Sequence, residues 1–155
     1  MGKTVCFTGH RDISDAEYEP LKARLESELE RLIARGVVHF RTGGARGFDT
    51  LAALCVLSMQ QKHPHIRLHL ILPCPSQTEH WHKNDVLLYQ QICAKAHSVR
   101  YVSRTYFNGV LQMRNRALVE GADICLAYLR TSAGGTAYTA SHAIRAGLEF
   151  INIAE

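Results

Sequence analysis

Apolar residues in this 155-residue chain follow two alternating rhythms. Short runs rich in β-branched and aromatic residues, at 4–8, 37–42, 67–73, 98–102, 124–128 and 150–153, have the length and composition of strands. Between the first two, Leu21, Leu25, Leu29 and Leu32 recur at helical spacing and mark one apolar face. Ser14 and Glu17 fit a capping box, while Pro20 argues for a regular helix starting nearer Glu19 and ending at Gly36. A second helix carries Phe48, Leu51, Ala52, Cys55 and Met59 on one stripe. Further helices are predicted over 79–96, over 107–120 with a stop at Gly121, and from Thr136 to a stop at Gly147. Strand and helix alternate throughout, with no repeat, linker or low-complexity tract. The pattern predicts one α/β domain of the Rossmann-like, three-layer type over 1–155, with a mostly parallel sheet of about six strands between helices.

In such a sheet ligands bind beyond the carboxyl ends of the strands, where the β-to-α loops gather. Three of those loops are glycine-rich: Thr8-Gly9-His10-Arg11, Gly43-Gly44-Ala45-Arg46-Gly47-Phe48-Asp49 and Gly134-Gly135-Thr136. Glycine lets backbone approach a ligand closely, and the first amides of a following helix attract anions, so a phosphate is the expected guest. Gly44→Val is accordingly expected to abolish binding and spare the fold. Asp49, in the first turn of its helix, either complements the helix dipole, accepts a ribose hydroxyl, or orients an arginine. Thr136 can cap its helix or bind an anion. No G-x-x-x-x-G-K-[ST] or G-x-G-x-x-G fingerprint is present.

Charge and composition change this picture little. A net charge of +4 does not by itself call for nucleic acid, but Arg11, Arg46, Arg114, Arg116 and Arg130 fall in or beside the loops and helix starts and favour an anionic ligand. No apolar run nears the ~18–20 residues that span a bilayer, so no membrane partner is expected. Cys6, Cys55, Cys93 and Cys125, lacking paired spacing, read as buried reduced thiols of a cytoplasmic protein. His63 and His65 precede the third strand and His80 and His82 follow it, roughly 20 Å apart at ~3.3 Å per residue. No metal site is therefore assigned, a small site of Cys74, His80 and His82 being the weaker alternative. No cofactor is required by this reading.

The loops at Thr8–Arg11 and Gly43–Asp49 resemble the SLOG superfamily, which joins the DNA-processing protein DprA with the Lonely Guy phosphoribohydrolases. Within it, Pro73, Gln77, Trp81, Asn84 and Tyr89, the Arg114-Asn115 pair and Gly134-Gly135-Thr136 resemble the bacterial YpsA/YoqJ-like subfamily, DUF1273. The resemblance implies a Rossmann-like fold and a nucleotide or nucleotide-derived ligand, NAD-derived or ADP-ribose-like species included. It implies a ligand set of Thr8, Gly9, His10, Arg11, Gly43, Gly44, Ala45, Gly47, Asp49, Gln77, Trp81, Arg114, Asn115, Gly134, Gly135 and Thr136, with Trp81 stacking on a base or lying in the core. A homodimer is also implied. Lonely Guy enzymes carry a catalytic glutamate and a lysine where this chain has Thr139 and Ala117, which argues for binding rather than cleavage. A nucleotide N-glycosidase and a DprA-like single-stranded DNA binder, the latter using Trp81, Tyr106 and Phe107, are the alternatives.

Overall fold

The computed structural model describes residues 2–154. Six strands, β1 (Lys3–Gly9), β2 (Val37–Thr42), β3 (Arg67–Leu72), β4 (Ser98–Tyr101), β5 (Ile124–Tyr128) and β6 (Glu149–Asn152), pair in parallel in the order β4-β3-β2-β1-β5-β6. Five helices connect them: α1 (Asp15–Ala34), α2 (Phe48–Met59), α3 (Lys83–Lys95), α4 (Val110–Val119) and α5 (Gly135–Arg145). The chain steps outward from β1 to β4, then crosses back so that β5 lies on the other side of β1. Right-handed crossovers in opposite directions place helices on opposite faces. One core accordingly joins α1, α2 and α3 to the sheet, and a smaller one joins α4 and α5 to it.

β1 and β5 are apolar on both faces because both are covered. Val5, Cys6 and Phe7 on β1 are fully buried, as is all of β5. Leu21, Leu25, Leu29 and Leu32 lie along one face of α1 with no exposed surface. Each contributes about 1.5–3 kcal/mol through burial.

Several boundaries differ from the sequence pattern. The regular part of α1 starts at Asp15, four residues before the expected Glu19, and Pro20 lies inside the helix. The Ser14–Glu17 capping box is formed, with the Glu17 amide donating to Ser14 Oγ at 3.2 Å, and holds the first turn despite the proline. α3 starts at Lys83 instead of Glu79, because Pro75–Thr78 forms a separate 3-10 turn and His82 is extended as N-cap. α4 starts at Val110, after Gly109 with φ +103°. Cys93 is only half-buried, since α3 buries Ile92 alone, whereas Cys74, not among the expected core thiols, is fully buried. The histidines that gather are His39, His69 and His97: His39 Nδ1 and His69 Nε2 share a proton across 2.9 Å, and His69 Nδ1 meets Ser98 Oγ at 2.7 Å.

Candidate functional site

The reversal of strand order between β1 and β5 makes the loops beyond these strands diverge, and a crevice opens where they part. A cavity of about 580 Å³ occupies this place. Phe7 and Thr8 at the end of β1 and Tyr128 at the end of β5 line it from the sheet, and Gly9, His10, Arg11 and Asp12 from the first loop. Ala45 and Asp49 come from the β2–α2 connection, Arg114 and Asn115 from α4, and Gly135 and Thr136 from the start of α5.

The Gly43–Asp49 loop, the most phosphate-like stretch by sequence, turns its amides inward. Gly44 N–H donates to Thr42 Oγ1 at 3.2 Å, Ala45 N–H to Asp49 Oδ2 at 3.1 Å, and Phe48 N–H to the His10 carbonyl at 3.1 Å. Its glycines are required by neighbouring protein atoms. A Cβ on Gly43 would lie 2.7 Å from Arg114 Nη1, and one on Gly47 would lie 2.1 Å from the Arg11 carbonyl oxygen. Gly43, Gly44 and Gly47 are packing elements behind the cavity wall, while Ala45 and Asp49 reach it. Gly44→Val would burden the fold as well as the loop, since φ is +71° and a Cβ would lie 2.4 Å from Leu72 Cδ2.

Arg114 is the centre of the arrangement. Only 5% exposed, it donates through Nη1 to the Gly43 carbonyl and through Nε to Asn115 Oδ1 at 2.8 Å. Asp49 is likewise buried, at 7% exposure. Burial pushes its carboxyl above the ordinary range, against the pull of Arg114, the Ala45 amide, Arg11 and the Gly43 amide. A buried guanidinium and a buried carboxyl group thus share one cavity wall, locked by the glycine loop.

Across the crevice, a backbone N–H can only donate, so the 2.7 Å bond from Arg130 N–H to His10 Nε2 leaves the ring's proton on Nδ1. This bond stitches the first loop to the last. Beneath it, Tyr128 Oη donates to Glu17 Oε2 at 2.9 Å and accepts from Arg130 Nε at 3.0 Å, and Arg130 also pairs with Glu17. The Tyr128 hydroxyl, and after it Ser14, holds the Glu17 carboxyl below its usual value. Sequence reasoning missed Tyr128 altogether and saw Glu17 only as a cap. A polar aromatic closing an apolar strand was the available signal.

At the start of α5 the N-cap is Gly134, which supplies no capping side chain, and Gly135 and Thr136 border the cavity. This helix start opens on the crevice, whereas the start of α2 is turned into the protein. Besides Gly43, Gly44 and Gly47, the predicted ligand residues Gln77, Trp81 and Gly134 do not line this cavity. Gln77 Nε2 donates to Tyr89 Oη at 3.4 Å, and Trp81 packs edge-on against Tyr89, with Arg46 over its ring at 5.3 Å. Thr139 is fully buried and donates its hydroxyl to the Gly135 carbonyl at 3.0 Å, while Ala117 borders a different cleft, on the His39 and Arg41 side of the sheet. Among the described residues no helix is long and apolar enough to cross a membrane.

An all-parallel sheet with its crevice at the strand-order reversal defines the doubly wound α/β class. Residues 5–149 match the family model described as the YspA SLOG family, and the chain belongs to that family. It is 30% identical over 134 residues to a UPF0398 protein of Bacillus pumilus, covering 81% of this chain and 72% of that one. A UPF0398 protein of Halalkalibacterium halodurans is 30% identical over 105 residues, 66% of this chain and 56% of its own length, so this chain spans little more than half of that relative. The prophage-derived protein YoqJ of Bacillus subtilis is 26% identical over 129 residues, 75% of each chain. Among solved structures, DNA processing protein A of Helicobacter pylori, described for its single-stranded DNA binding mode, superposes with a TM-score of 0.66 at 19% identity, over 96% of this chain and 64% of that one. DNA processing protein A of Streptococcus pneumoniae gives 0.68 at 15% identity, over 96% and 49%. These two likenesses concern the fold.

Proposed function

We propose that this protein binds a nucleotide or nucleotide-derived ligand, with its phosphate in the crevice between the ends of β1 and β5. The observation that carries this reading is the buried Arg114, which lines one cavity together with the start of α5, a helix start without a side-chain cap. A phosphate there meets a guanidinium and the first amides of a helix together. Arg11 adds charge from the exposed rim, Asn115 and Thr136 offer hydrogen bonds, and Asp49 keeps Arg114 in place or accepts a ribose hydroxyl. The reading is one of binding: position 139 offers a hydroxyl already bonded within α5, not a carboxyl.

A single-stranded nucleic acid is the second reading. It is favoured by the DprA-like fold and by Tyr106 and Phe107, exposed in the β4–α4 connection.

Calorimetry with AMP, ADP and oligo(dT) tests both. AMP is expected to bind, and Arg11→Ala, on an exposed side chain, to weaken it roughly ten-fold, the scale of one charge-assisted hydrogen bond. AMP affinity unchanged in that variant places the phosphate elsewhere. Binding of oligo(dT) alone, with a steep salt dependence, selects the second reading.

A further inference from the structure

β4 closes one side of the sheet and pairs with β3 alone, so among the described residues no strand lies along its outer edge. All four of its residues are exposed. Side chains alternate along a strand. Ser98, bonded to His69, and Arg100, which borders the cleft on the His39 and Arg41 side, share one face. Val99 and Tyr101 therefore share the other, where α3, burying Ile92 alone, leaves them 39% and 43% exposed. Charge is lopsided here. From residue 86 to residue 119 the chain carries Lys95, Arg100, Arg104, Arg114 and Arg116 and no acidic residue. Lys95, Arg100 and Arg104 are exposed on and beside β4, and among the described residues none of the three pairs with a carboxylate.

We infer that β4 is a docking edge for an extended acidic segment of a partner protein, which adds to the sheet as a further strand. Its backbone takes up the open hydrogen-bonding groups of the edge, and its alternate side chains decide which segment fits. Carboxylates on one face meet Arg100, with Lys95 and Arg104 flanking the strand on either side. Apolar side chains on the other face cover Val99 and Tyr101. Charges at such a rim steer and select a partner more than they tighten it. A second copy of this chain fits the edge poorly, because a two-fold pairing of β4 with itself brings the same cations together. That repulsion also guards an open edge against self-association. A nucleic acid strand matches the charge but cannot complete a ladder of paired N–H and C=O groups.

The test is fluorescence anisotropy of a short labelled peptide alternating valine and glutamate, titrated with the full chain. The peptide is expected to bind, and Arg100→Glu, at an exposed position, to weaken it roughly ten-fold, the scale of one charge-assisted hydrogen bond. The same peptide N-methylated at alternate residues keeps its charges and loses the donors of one edge. It is expected to bind roughly ten-fold more weakly or worse. Equal affinity of the methylated peptide overturns strand addition, the contact then being one of charge alone. A peptide with lysine in place of glutamate that binds as tightly overturns the acidic preference. Displacement of the peptide by oligo(dT) that itself binds more tightly, and less well to Arg100→Glu, overturns the assignment in favour of nucleic acid. A dimer of the chain in sedimentation that the peptide dissociates assigns the edge to a second copy instead. No rise in anisotropy with the acidic peptide refutes the docking edge.

Discussion

Gly47→Ala offers a sharp test of how the two glycine loops hold each other. Gly47 has φ 78° and ψ −122°, a conformation glycine enters without the clash a side chain brings. Placing alanine there costs about 1–3 kcal/mol in backbone strain. The added methyl would stand 2.1 Å from the Arg11 carbonyl oxygen and 2.5 Å from its Cα. Backbone cannot swing aside as a side-chain tip can, so overpacking adds about 1–3 kcal/mol. Gly147 is the internal control, with φ +87° and no atom within 4 Å of where an added methyl would stand. Gly147→Ala suffers conformational strain alone, about 1–2 kcal/mol. The expected difference between the variants is therefore about 2 kcal/mol, or roughly 4–8 °C in Tm for a domain of this size. Urea unfolding followed by circular dichroism, with equal m-values required of the three proteins, measures it. Equal destabilisation within about 0.5 kcal/mol would refute the claim that Gly47 is fixed by contact with the first loop.

Two titrating groups give pH effects of opposite sign. Burial, then His39, His97, Arg41 and Arg67, pull His69 down to about 4 from 6.5, so the unfolded chain binds its proton more readily. Stability should fall as pH drops from 6.5 towards 4, and His69→Gln should remove that slope in urea midpoints. Asp49, raised above 3.8 by burial, binds its proton more readily in the folded chain; stability should fall as pH rises through the window above 3.8, and Asp49→Asn should flatten that limb. Ser14→Ala, which removes the cap of α1, should cost about 1 kcal/mol in the same assay. Thr136→Val should leave the melting temperature within a few degrees while lowering AMP affinity, with unchanged calorimetric binding counting against a ligand at the start of α5.

The sheet and the edge where its β-to-α loops gather were legible because strand and helix rhythms are strong here. Six apolar runs and the leucine stripe of α1 survive any one misread boundary. The boundaries themselves moved where local and tertiary signals competed. Pro20 looks like a barrier to the helix, yet the capping box of Ser14 and Glu17 holds the turn before it. The site was legible as a place more than as a mechanism. The sequence pattern of Gly43–Asp49 looks the same whether its amides meet a phosphate or meet Thr42, Asp49 and His10. Only the distances distinguish them. Trp81 stands beside Arg11 and Gly47, near the loops its sequence position suggests, but in a separate cleft. That separation depends on how α3 packs on α2, and α3 buries too little for periodicity to fix its pose.

Glu17 belongs at once to the beginning of α1 and to the anchoring of Tyr128 and Arg130 across the crevice. Residues 111 positions apart in sequence, Glu17 and Tyr128, therefore meet on a carboxylate that also starts a helix. Until α1 has wound its first turn, the crevice lacks a finished wall; until β5 has docked beside β1, Glu17 lacks its main partner. The pocket wall is thus complete only when α1 and β5 are both in place, so a ligand bound as proposed above would stabilise the assembled chain over partly folded forms.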